Sequence, residues 1–141
     1  MNLQISSQNG YAAEARQAEL DNIELHISHE NTNIEQIEAL IAQLKQRQEA
    51  AKELLDVAQG ALDKPLRQGM PADFYVAPTR DKRTAEKVLT ECAEKIASAQ
   101  EALQGVKARL AQWQGFKKEF SEDSLRAKRM LEGLRRRVLG R

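Results

Sequence analysis

The sequence predicts an all-α protein: a long antiparallel two-helix coiled-coil hairpin that associates with itself into a four-helix bundle. Three observations lead there. Charged residues make up 30% of the chain and aromatics only 4%, with Ala, Glu, Leu, Gln, Lys and Arg dominant, a profile of long helices rather than a compact globule. All three prolines, Pro65, Pro71 and Pro78, fall in one short segment. On either side of that segment, apolar residues recur with a seven-residue period. Valine occurs singly at 57, 76, 88, 106 and 138 and never in an alternating run, so no strand pattern competes.

The proline cluster, with Gly69, separates two helical elements because proline disrupts a helix interior. The first helix is expected over about residues 11–63 and the second over about 82–139, joined by a loop at 64–80. Thr79 or Asp81 would cap the second helix. Gly60, Gly105, Gly115 and Gly133 each weaken a helix by roughly 1 kcal/mol and mark places to bend, not breaks. Residues 1–10 read as a flexible N-terminal segment ahead of a single hairpin domain at 11–141. Leu3 and Ile5 alternate there, a weak pattern for adding a strand to a partner's sheet edge.

The seam can be written residue by residue. With Leu20 at position a, the first helix places Ile27, Ile34, Ile41, Gln48, Leu55 and Leu62 at a, and Ile23, Glu30, Ile37, Leu44, Ala51 and Ala58 at d. In the second helix, Leu89, Ile96, Leu103, Leu110, Lys117, Ser124, Leu131 and Val138 take a, while Ala85, Cys92, Ala99, Val106, Trp113, Phe120, Ala127 and Leu134 take d. Sustained heptads of this kind specify knobs-into-holes packing. One register sets large against small: Leu62 against Ala85, Ala58 against Leu89, Leu55 against Cys92, Ala51 against Ile96. It also joins Ile34 with Trp113, Ile27 with Phe120, and Glu30 with Lys117 as a polar layer that sets the register. Apolar g positions (Leu40, Leu54, Val88, Ala102, Phe116, Met130) widen the buried stripe beyond two helices. That width motivates self-association, a dimer of hairpins above all.

Charge is divided between the arms. Residues 1–44 carry seven acidic side chains and one basic, Arg16, whereas residues 117–141 carry nine basic and four acidic. An antiparallel hairpin lays one beside the other and neutralises much of the asymmetry. A net charge of +1 and an isoelectric point near 7.9 do not describe a dedicated nucleic-acid binder.

Two surfaces stand out as candidate binding sites. The tip carries Met70, Phe74, Tyr75 and Val76, suited either to a partner's pocket or to capping the bundle end, with Leu66 adding to its apolar character. The C-terminal end carries Arg126, Lys128, Arg129, Arg135, Arg136, Arg137 and Arg141, suited to phosphates or an acidic protein surface, or simply to a favourable helix C-terminus. His26 and His29 lie one turn apart with Glu30 adjacent, but two imidazoles without a third ligand do not make a metal site. Cys92 and Trp113 fall on the seam and read as core. No nucleophile–base pair, phosphate-cradling loop or concave pocket is evident, so neither catalysis nor a cofactor is expected.

The leading expectation is a non-enzymatic protein–protein interaction module: an adaptor, inhibitor or assembly scaffold. A nucleic-acid accessory protein using the C-terminal arginines is one alternative. A structural stalk or scaffold of a viral or secretion-system particle is another, on analogy of shape alone. No stretch approaches the roughly 20 apolar residues of a membrane span, and the first residues lack the pattern of a secretory signal, so a cytoplasmic setting is expected.

Overall fold

The computed structural model describes the backbone of residues 2–140 except 66 and 68, and side chains from residue 12 onward with the same exceptions. The fold is all-α. Helix α1 runs Asn2–Leu62 and helix α2 runs Val76–Leu139. The contacts divide into two packed units: Glu35–Gln104, which holds the connecting loop, and Met1–Ile34 with Gly105–Arg141.

Both helix starts lie earlier in the chain than expected. The backbone of α1 is helical from Asn2 rather than from about residue 11, so the expected flexible segment continues the helix. Ser6, Ser7, Asn9 and Gly10 are weak helix formers but no proline interrupts the segment, and each residue added to an existing helix gains a backbone hydrogen bond. The side chains of residues 1–11, with Leu3 and Ile5, lie outside the described residues. Helix α2 begins at Val76, ahead of Thr79 and Asp81, so neither is its cap. Its first intrahelical bond runs from Thr79 N to Tyr75 O at 3.0 Å, and Thr79 Oγ1 donates to the same carbonyl at 2.6 Å. Pro78 is tolerated because it sits in the first turn, where an N–H has no intrahelical acceptor.

In the loop-containing unit, α1 ends where Pro65 would follow. Asp63 N donates to Gln59 O at 2.9 Å, and Gln59 Nε2 to Asp63 Oδ1 at 2.9 Å. The residue before a proline is driven out of the helical region, which stops the helix at this point. Gly69 turns the chain with φ 91°, a conformation that favours glycine. Two tight turns, Phe74 N to Pro71 O and Val76 N to Asp73 O, then lead into α2. The core of this unit is Ile41, Leu44, Ala51, Ala58, Ala85, Cys92 and Ala99, with Ala85 and Cys92 fully buried. These are heptad positions, and small residues among them let helices approach closely.

In the other unit the two helix segments run antiparallel: Glu24 pairs with Lys117 and, further along α1, Glu30 pairs with the earlier Arg109. Its buried apolar residues are Ile23 and Val106. Helix α2 stops at Leu139, where Gly140 adopts φ 70°, the left-handed residue that commonly follows a helix.

Candidate interaction surfaces

The tip is partly satisfied by its own contacts. The Tyr75 hydroxyl donates to the Lys64 carbonyl, tying the two ends of the loop together. Phe74 meets Tyr75 edge-on, with ring centroids 5.2 Å apart. Met70 sulfur accepts from Arg67 N at 3.4 Å. Met70, Phe74 and Tyr75 are half-buried, whereas Val76 is 64% exposed. Val76 lines a shallow groove with Tyr75, Thr79, Arg80 and Arg83. Of the four tip residues singled out in the sequence, Val76 presents the most open apolar surface; Tyr75 also works as a loop fastener. Leu66 lies outside the described residues.

The basic end is open. Arg126, Lys128, Arg129, Arg135, Arg136 and Arg137 are all exposed, and among the described residues none lies within ion-pair distance of a carboxylate. Arg141 lies outside the described residues. The sequence reading saw this charge but not the apolar surface threaded through it. Met130, Leu131, Leu134, Val138 and Leu139 are 63%, 65%, 53%, 84% and 69% exposed. An open groove here is lined by Leu131, Leu134, Val138 and Leu139 together with Lys128 and Arg135. The signal was available, since Leu131, Leu134 and Val138 were placed on the seam. That they are exposed instead is a tertiary fact.

The polar layer differs from the expected one. Glu30 does not meet Lys117. Its Oε1 lies 3.4 Å from Arg109 Nε, and Lys117 Nζ lies 3.5 Å from Glu24 Oε1. Trp113 stacks on His26, with centroids 4.1 Å apart and planes within 2°. Phe116 meets Trp113 edge-on at 5.6 Å. Glu30 is nevertheless a real polar intrusion: its side chain is 12% exposed, and Oε2 is buried with no hydrogen-bond partner among the described residues.

The remaining singled-out groups are placed as follows. His26 is committed to its stack on Trp113, and His29 is exposed. Among the described residues, no group of three or more His, Cys, Asp or Glu side chains could hold a metal ion. Cys92 is a free, fully buried thiol. Among the described residues, no helix is long and apolar enough to cross a membrane. Comparison with protein-family models, curated proteins and solved structures returns no match, so the functional argument rests on this chain's own residues.

Proposed function

We propose that the chain is a non-enzymatic protein–protein interaction module, an adaptor, inhibitor or assembly scaffold, that works through its tip and its basic C-terminal end. The observation that carries this is the exposed apolar surface on the last turns of α2, with Leu131 65%, Leu134 53% and Val138 84% exposed among basic side chains. Contiguous exposed apolar surface ringed by polar groups marks binding surfaces. Val76 and its groove supply a second, smaller patch at the tip. A cytoplasmic setting belongs to the same proposal, and the lone buried Cys92 thiol suits a reducing compartment.

The reading includes a seam offset by one heptad from the expected register. In one unit Ile34 faces Val106 and Ile27 faces Trp113; in the other Ile41 faces Ala99. The His26–Trp113 stack, the Glu30–Arg109 pair and the groove shared by Leu40, Leu44, Lys95 and Ala99 support this placement. It also includes self-association into a four-helix bundle, supported by Leu40, Leu54 and Phe116, which remain 47%, 38% and 50% exposed. In a stalk or scaffold of a larger particle, the same surfaces would carry subunit contacts.

The test places a photoreactive side chain at Val76, at Leu134 or, as a control, at exposed Gln43. A specific partner adduct at Val76 and Leu134 but not at Gln43 is expected. Equal labelling at all three positions would sink the reading. The second reading, nucleic-acid binding, is favoured by the exposed Arg135, Arg136 and Arg137, which form no ion pair among the described residues. It requires binding to labelled DNA or RNA that falls steeply with salt and disappears when those three become Ala.

A further inference from the structure

Helix α2 carries its heptad further than α1 can answer. Upstream, Ala85, Cys92, Ala99 and Val106 occupy d positions and are buried. Downstream, Leu131, Leu134 and Val138 continue the same repeat and are exposed. The corresponding repeat in α1 ends at Leu20. Extended toward the N-terminus, it places Arg16, Ala13, Asn9 and Ser6 at a and d, none of them large and apolar, with Ile5 and Leu3 only at the flanking g and e positions. Among the described residues, nothing on α1 covers the stripe at the end of α2, where Leu131, Leu134 and Val138 stay exposed.

Charge narrows what can cover it. The stripe is flanked by Arg126, Lys128, Arg129, Arg135, Arg136 and Arg137, against the single acid Glu132. Two such stripes face to face would set like charges against each other, which opposes association. The complementary surface lies in the same unit. On α1, Glu14, Ala18, Asp21 and Leu25 follow one another at spacings of four, three and four, which puts them on one helix face. All four are exposed, and Leu25 is 53% exposed. Neither Glu14 nor Asp21 is in an ion pair among the described residues; Asp21 only accepts from Gln17 at 2.8 Å. This face is acidic with an apolar line, the opposite number of the α2 stripe. A phosphate backbone would satisfy the arginines but would leave Leu131, Leu134 and Val138 in water.

We propose that the partner of the α2 stripe is the Glu14–Leu25 face of a second copy of this chain. The arrangement is reciprocal: each copy contributes one stripe and one acidic face, so two equivalent contacts close a two-fold dimer. The proposal rests on the self-association reading above and specifies its surface.

Analytical ultracentrifugation of the full chain tests it. At low salt the wild type sediments at twice its 15.9 kDa mass, and added salt shifts the equilibrium toward monomer. Leu134→Ser with Val138→Ser abolishes the dimer while circular dichroism stays helical. Two charge-reversed chains make the sharper test: Arg135→Glu/Arg136→Glu/Arg137→Glu, and Glu14→Lys/Asp21→Lys. Each alone is monomeric, because its stripe and face now repel. Mixed, they form a heterodimer in which both contacts are complementary again. A wild type that stays monomeric overturns self-association altogether. A dimer that survives both reversals keeps self-association but overturns these surfaces. Reversed chains that remain monomers when mixed, or an arginine end occupied by oligonucleotide without regard to Leu134, also overturn the proposal.

Discussion

The unit Glu35–Gln104 and the unit Met1–Ile34 with Gly105–Arg141 carry the same seven-residue repeat and bury it to different extents. The first holds seven of the nine buried core residues among the described residues; the second holds Ile23 and Val106. In the first, Ala51, Ala58, Ala85, Cys92 and Ala99 let helix backbones come close enough to exclude water. In the second, the polar Glu30, Lys117 and Ser124 interrupt the apolar heptad, and the bulky Trp113 sits against His26. An apolar period brings two helices together; the size and polarity of each layer decide how much of it is dry. The first unit buries more of its repeat and holds the turn, with Leu40, Leu54, Val57 and Val76 still exposed; the second leaves more of its apolar side chains in water.

The largest effect that would test this contrast is expected at Cys92. Its side chain is fully buried, so Cys92→Asp puts an unpaired carboxylate in the dry seam and should cost about 3–5 kcal/mol in chemical denaturation. A loss within about 0.5 kcal/mol, the usual range for surface changes, would mean that this unit is as open as the other.

Next comes the Glu30 layer. Arg109→Ala leaves Glu30, 12% exposed, without its only ion-pair partner among the described residues and should destabilise by about 1–3 kcal/mol. Glu30→Leu should instead be neutral or stabilising, because it removes a poorly satisfied carboxylate and leaves Arg109, 55% exposed, free to hydrate. Opposite signs for the two variants sharpen the comparison. Equal losses would mean that the pair is a net stabiliser.

The smallest effect belongs to Lys117→Ala. Lys117 and Glu24 are 47% and 50% exposed at 3.5 Å, so their pairing should contribute less than about 1 kcal/mol, and less still at high salt. A larger loss in thermal melts would restore Lys117 to the register-setting role that its heptad position suggested.

Two long helices and the break between them were legible in residue order. Proline cannot sit in a helix interior, and Pro65, Pro71 and Pro78 mark one interruption only. Pro78 misled the reading of where α2 begins, because a first-turn proline and a loop proline are the same letter. The basic end was legible as charge. Its apolar stripe was hidden because Leu131, Leu134 and Val138 obey the same repeat as the buried residues upstream.

What the sequence by itself determined is therefore periodic: helix, interruption, helix, and which face of each helix is apolar. What only the tertiary structure decided is pairing. Sliding one helix past the other by a heptad leaves every a and d residue on the seam, so composition scarcely distinguishes the registers. Which charges meet falls to a contact between the helices: Glu30 lies against Arg109 rather than Lys117, a partner 79 residues away in sequence. The repeat is blind to that choice because it fixes which face of each helix is apolar and not which side chains oppose one another.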